Sequence, residues 1–255
     1  MKVAILAGGF GSRLSEETAI RPKPLVEIGG KPILWHIMKI YASFGFNEFV
    51  IALGYKGEMI KDYFINYRYI SRSLTINLSN GDINLHNGDT EEWVVSLLDT
   101  GIQAQTGDRV KQIAEFIGNE PFMMTYGDGV ANVNINDLLQ FHINQRKFAT
   151  VTAVRPPSRF GGIAFDGNLV SQFEEKPQIG EGWINGGFFV MEPDALKYIS
   201  GEGVIWEKEP MEHLTNIGQL AAYKHDHFWQ CMDTLRDVRL LDDYWRGGHA
   251  PWKVW

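Results

Sequence analysis

The stretches Val3 to Leu6, Phe49 to Leu53, Val94 to Leu98, Phe122 to Thr125 and Thr150 to Val154 are short, apolar and rich in β-branched residues. Segments of helical period lie between them. Ile33 to Phe44 puts Ile33, Ile37, Ile40, Tyr41 and Phe44 on one face, and Asp137 to Gln145 continues a similar stripe from Leu138 to Phe141. A strand that is apolar throughout needs cover on both faces, which parallel sheets obtain from crossover helices. The alternation therefore predicts an α/β fold, a Rossmann-like, mainly parallel mixed sheet flanked by helices.

In the second half, Gly162 to Phe165, Leu169 to Glu174 and Ile184 to Met191 read as strands around the turn 166-DGN-168. They predict a small antiparallel addition. No proline-rich or serine-rich linker and no internal repeat divides the 255 residues, so one domain is expected over 1–255.

A net charge of −7 gives no general attraction to nucleic acid or to anionic membranes, so an anionic ligand has to be met by a few local cations. No apolar run is long enough for a membrane span, and the run after Met1-Lys2 is too short for a signal peptide. The single cysteine, Cys231, cannot form an internal disulfide, and no Cys/His spacing suits zinc. These features lead us to expect a cytoplasmic protein with no nucleic-acid or membrane partner.

The first strand runs into glycines, 3-VAILAGGFGSRL-14. A glycine loop after a first strand lets backbone N–H groups come close to a phosphate that side chains would hold away. The dinucleotide fingerprint fails, because Leu14 stands where its third glycine belongs; the Walker A loop fails for want of Gly-Lys-Ser/Thr. What remains is a phosphate loop with its own arginine, Arg13. Shortly after it, Pro22 and Pro24 bracket Lys23 in a stiffened segment that pre-sets a lysine.

The joint pattern LAGGxGxRL and xPKPLxxIGGKPI resembles the sugar-phosphate nucleotidyltransferases. The resemblance extends through 126-YGDGV-130, 174-EEKP-177, 185-NGGFFV-190 and 229-WQCMDT-234, nearly the whole chain. It implies the nucleotide-diphospho-sugar transferase type of fold, with residues 1–130 mainly binding nucleotide and 150–235 mainly binding sugar phosphate. It also implies attack by a sugar 1-phosphate on the α-phosphorus of a nucleoside triphosphate. A phosphate monoester is mostly dianionic at neutral pH, its second pKa being about 6, so the reaction needs charge stabilisation more than a base.

Carried over residue by residue, the resemblance makes Leu6, Ala7, Gly8, Gly9, Phe10, Gly11, Ser12 and Gly127 nucleotide-binding. Arg13 suits the β and γ oxygens, and Lys23 puts a compact charge near the α-phosphate. Asp128 and Asp233 offer hard oxygen ligands to Mg²⁺, although Asp233 could equally cap the helix that follows it. Lys176 matches the lysine that holds the sugar phosphate, Glu175 the acid that bonds sugar hydroxyls, and Asn185 with Gly186 the sugar-facing strand. Arg13, Lys23 and Asp128 form the expected catalytic set.

Within the family, 31-KPILWHIMKIY-41, 99-DTG-101 with 106-TGDR-109, 205-IWEKEP-210 and 251-PWKVW-255 are most similar to members that use CTP and glucose 1-phosphate. Thymidylyl members carry a Gln-Pro-x-Pro-x-Gly-Leu-Ala segment where this chain has 99-DTGIQAQTGDR-109. Thr106 and Arg109 match the cytidylyl pattern, and a guanidinium, which only donates, suits cytosine O2 or N3. Thymidylyl or uridylyl transfer to the same sugar stays open at this point, as does a non-catalytic sensor on the same fold. The resemblance further implies a homo-oligomer, a hexamer by preference. His36, His86 and His142 have no metal spacing, and Trp245, Trp252 and Trp255 are expected to pack or to form subunit contacts.

Overall fold

A computed structural model describes residues 1–88, 90–156, 162–166, 169–174 and 182–255. Its centre is a sheet whose strands, in chain order, are β1 (Val3–Leu6), β2 (Glu48–Leu53), β3 (Val94–Asp99), β4 (Phe122–Tyr126), β5 (Ala149–Val154), β6 (Ile184–Met191) and β7 (Leu220–His225). In space they lie in the order β7-β5-β6-β4-β1-β2-β3. β1 pairs in parallel with both β2 and β4, β2 with β3, and β5 with β7. Only β6 in this sheet runs against its neighbours, β5 and β4. The expected antiparallel addition is thus divided. Ile184–Met191 enters the main sheet, while Gly162–Asp166 and Leu169–Glu174 form a two-stranded ladder of their own. Asn168 and Gly167 of the expected turn lie outside the described residues.

The helices that matter here are α1 (Ile33–Ala42), α2 (Gly57–Ile65), α3 (Thr106–Ile117), α4 (Ile135–Gln145), α5 (Glu209–Asn216) and α6 (Leu235–Arg246). Side chains alternate across β1, and the two faces found separate cores. Val3 and Ile5 pack with Ile33, Ile37 and Tyr41 of α1, whereas Ala4 and Leu6 pack with Val110 and Ile113 of α3 and with Trp206. β1 is buried from end to end, which is why its sequence shows no polar alternation.

β1 leads to β2 and β3 on one side, and the chain then returns to β4 on the other. That reversal opens a crevice beyond the carboxyl ends of β1 and β4, where open α/β sheets bind ligands. Among the described residues, no helix is long and apolar enough to cross a membrane.

Candidate active site

A cleft of about 510 Å³ occupies that crevice. Residues 6–13 floor it, residues 102–106 and Arg109 form one wall, and Lys23, Tyr126, Gly127, Asp128 and Asp233 form the other. Sheet pairing continues just past the strands, with Ala7 N donating to Ala52 O and Gly127 N to Leu6 O, both at 3.0 Å. The chain then peels away. Among the described residues, the backbone N–H groups of Gly8, Gly9, Phe10 and Gly11 make no hydrogen bond. A row of uncommitted donors facing a cleft is a seat for an anion. Gly11 turns the chain with φ 63°, a left-handed conformation that favours glycine. Gly8 is required for another reason: a Cβ there would lie 2.2 Å from Nη1 of Arg109.

Beside the loop, four charged side chains from distant parts of the sequence converge. The segment Trp229–Cys231 pairs antiparallel with Gly129–Ala131, and Met232 N donates to Asp128 O at 2.8 Å, which sets Asp233 beside Asp128. Lys23 Nζ donates to Asp128 Oδ2 at 2.7 Å and to Asp233 Oδ1 at 2.6 Å. Arg13 donates to the other Asp233 oxygen at 2.5 Å. Pro22, in extended backbone, and the single 3₁₀ turn of Lys23–Leu25 deliver the lysine into this buried position. Burial alone would pull the Lys23 ammonium down, but Asp128 and Asp233 outweigh it and hold it above the ordinary lysine value. Burial would likewise push the Asp233 carboxyl up, yet Lys23 and Arg13 hold it below the usual carboxylate range. Asp233 does not cap the following helix; Thr234 does, in a reciprocal box with Asp237.

The donor set suits Mg²⁺. Two carboxylates meet at one point, and among the described residues no group of three or more His, Cys, Asp or Glu converges elsewhere into a metal cage. Mg²⁺ is ordinarily held by one or two carboxylates, with substrate phosphates and water completing the octahedron.

Arg109 and Thr106 line the cleft, but much of their bonding capacity is spent inside the protein. Arg109 Nη1 donates to Leu53 O at 2.8 Å and to Thr100 Oγ1 at 2.5 Å; its Nη2 reaches Gly8 O at 3.0 Å and, weakly, Ile102 O at 3.5 Å. The guanidinium therefore braces the glycine loop against the end of β2. Thr106 opens α3, donates to Glu207 Oε2 at 2.6 Å and accepts from Trp206 N at 2.9 Å.

Asn185 sits at the start of β6, where its Nδ2 donates to Tyr126 Oη at 3.1 Å and its Oδ1 accepts from Gly187 N at 2.8 Å. It meets the cleft through Tyr126, which lines it. The adjacent glycines have protein neighbours: a Cβ on Gly186 would lie 2.6 Å from Val154 Cγ1, and one on Gly187 would lie 2.6 Å from Tyr126 Cδ2. Close strand packing is thus reason enough for both. Glu175 and Lys176 lie outside the described residues.

Tyr126 and Glu207 are site residues that side-chain type and spacing did not single out. Tyr126 Oη donates to Glu207 Oε1, on a loop otherwise remote in sequence. Trp245, Trp252 and Trp255 pack around the buried His36 ring. Cys231 borders Asp233, with its thiol pushed up to about 12, chiefly by burial.

The nucleotidyl transferase family matches residues 2–250. Glucose-1-phosphate cytidylyltransferase of Salmonella typhi is 48% identical over 256 residues, covering 100% of both chains. The probable glucose-1-phosphate cytidylyltransferase of Bacillus subtilis (strain 168) is 44% identical with the same coverage. Among solved structures, a putative glucose-1-phosphate thymidylyltransferase from Bacillus anthracis in complex with a sucrose superposes with a TM-score of 0.68 at 18% identity, covering 98% of this chain and 95% of that one. HddC from Yersinia pseudotuberculosis, complexed with GMP-PN, gives 0.68 at 20% identity, covering 96% and 99%. These two share the fold. With the match running from the first strand to beyond the last helix, the chain belongs to the nucleotidyl transferase family.

Proposed function

We propose that the protein joins CTP and α-D-glucose 1-phosphate to give CDP-glucose and pyrophosphate. The observation that carries the reading is that uncommitted glycine-loop N–H groups and the Lys23–Asp128–Asp233 cluster line one cleft. The full-length likeness to cytidylyltransferases selects the substrates.

An oxygen of the sugar phosphate forms a bond to the α-phosphorus of CTP while the bond from that phosphorus to the β-phosphate oxygen breaks, in line. The leaving oxygen carries its electron pair away in pyrophosphate, so no proton has to be removed from the nucleophile. Residues 8–12 supply backbone donors to the triphosphate, Arg13 its planar fork for the β and γ oxygens, and Lys23 a point charge at the α-phosphate. Asp128 and Asp233 would hold Mg²⁺, which when bound would supply positive charge against the phosphates. Arg109 and the backbone around Thr106 face the base, and Glu175, Lys176, Asn185 and Gly186 serve the sugar phosphate. The chain acts as one domain, with nucleotide held mainly by 1–130 and sugar phosphate mainly by 150–235, and it assembles as a homo-oligomer.

The test is pyrophosphate release over a panel of CTP, dTTP, UTP and GTP against glucose 1-phosphate and mannose 1-phosphate. CTP with glucose 1-phosphate should give the highest kcat/KM. Faster turnover with dTTP or UTP would overturn the choice of base; no turnover with any pair would overturn catalysis itself.

A further inference from the structure

The segment 204–207 is strapped onto the start of α3. Gly107 N donates to Val204 O at 2.8 Å, Val204 N to Asp108 Oδ1 at 3.2 Å, and Trp206 N to Thr106 Oγ1 at 2.9 Å. The fit is close enough that a Cβ on Gly107 would lie 2.7 Å from Val204 O. The strap carries one carboxylate, Glu207, and both its oxygens are spent on hydroxyl groups. One accepts from Thr106 at 2.6 Å and the other from Tyr126. Tyr126 in turn accepts from Asn185 at 3.1 Å. A carboxylate only accepts, so each hydroxyl must point its proton at Glu207, and the tyrosine lone pair is left for the asparagine amide.

We infer that Glu207 is a positioning residue that ties the base wall of the cleft to its sugar side. Through Thr106 it fixes the helix start that ends the 102–105 loop, and through Tyr126 it fixes the amide of Asn185. This rests on the reading that the cleft takes CTP and glucose 1-phosphate. The chain of bonds crosses from α3 to β4 to β6, elements far apart in sequence. Charge-assisted bonds in such a partly buried network are individually stronger than neutral ones, so the central carboxylate is the member whose loss reaches both ends.

An initial-rate grid with both substrates varied tests the bridge. Tyr126→Phe removes one hydroxyl on the sugar side and should raise KM for CTP as well as for glucose 1-phosphate, each by about five- to tenfold. Thr106→Val, on the base side, should likewise raise KM for glucose 1-phosphate, while Thr106→Ser, which keeps the hydroxyl, stays near wild type. In a Glu207→Ala background, Tyr126→Phe should leave the CTP KM where Glu207→Ala alone put it, since the path is already cut. A direct contact of Tyr126 with nucleotide would persist in that background and overturn the bridge. So would variants that each alter only the KM of their own side. If Glu207→Ala does not fold, the contrast between Thr106→Val and Thr106→Ser on the glucose 1-phosphate KM decides alone. A wild-type protein that makes no CDP-glucose overturns the reading beneath the inference; active wild type with one-sided variants overturns the bridge only.

Discussion

Among the described residues, Lys23 is the only side-chain partner of the Asp128 carboxylate and one of two cations on Asp233, which makes Lys23→Met a sharp perturbation. The methionine keeps length and packing but leaves two carboxylates facing one another. Lys23 and Asp233 side chains are 10% and 12% exposed, so that pair feels little solvent screening; Asp128, at 33%, is discounted. Removing one partner of a buried pair costs about 3–5 kcal/mol, and with the discount we expect about 2–3 kcal/mol here. For a domain of this size, that is a fall in Tm of roughly 4–12 °C. Mg²⁺ alone, without nucleotide, should then raise the Tm of Lys23→Met by more than that of wild type, because no ammonium competes for the carboxylates. The kcat of the same variant should fall on the order of 10²-fold, with the α-phosphate deprived of its point charge. Calorimetry at neutral pH, with EDTA and then with millimolar Mg²⁺, reads the stability effects directly. Equal melting of variant and wild type in EDTA, or equal Mg²⁺ shifts in both, would refute the argument that Lys23 holds the two carboxylates together.

The glycine loop and the buried histidine give two further expectations. Gly8→Ala should lower Tm, since its Cβ would displace the braced Arg109 guanidinium, whereas Gly9→Ala, with nothing within 4 Å of its Cβ, should keep the wild-type Tm and raise only the KM for CTP; equal melting of the two variants would contradict this. The His36 ring donates from Nε2 to Ile28 O and accepts at Nδ1 from Trp252 Nε1, so only the neutral ring fits, and burial lowers its pKa from 6.5 to about 4. The unfolded chain binds the proton first, so this contribution is full above about pH 6.5 and is lost as pH falls toward 4, by about 3 kcal/mol. Chemical denaturation across that range should show a flatter pH profile for His36→Gln, and parallel profiles would disprove the assignment.

Most main-sheet strands were legible as short apolar runs; Val3–Leu6 and Ile184–Met191 match the expected limits, four others differ only at their ends, and Leu220–His225, only partly buried, was not expected. The strands Leu74–Ile76 and Ile83–Leu85 were not legible, since a half-exposed polar hairpin has no such signature. Lys23, Asp128 and Asp233 are separated by 105 and 210 residues from the lysine, so no local spacing could have joined them. Family resemblance named them, and the ladder between Gly129–Ala131 and Trp229–Cys231 is the physical reason they meet. Glu207 left less trace. Its role depends on a strap that only exists once α3 and the 204–207 segment are folded against each other.

Selection of the base depends, on the proposed function, on what Arg109 and Thr106 still have to give. Thr106 has its hydroxyl proton on Glu207 and a lone pair on Trp206 N, so its contribution is to hold the backbone of residues 102–105. Arg109 holds Leu53, Thr100 and Gly8 firmly, and its 3.5 Å contact to Ile102 O is the weakest of the set. That N–H is the one most easily redirected toward a ligand. Cytosine presents acceptors at O2 and N3, which a guanidinium can meet, whereas uracil and thymine carry a proton at N3 that would face a donor with a donor. Discrimination on this footing comes from the unpaired donor left by the wrong base, and it requires that Arg109 stay fixed by its other bonds while one bond is exchanged. On the proposed function, the residue that braces the phosphate loop would also read the base, which would tie nucleotide choice to the shape of the glycine loop.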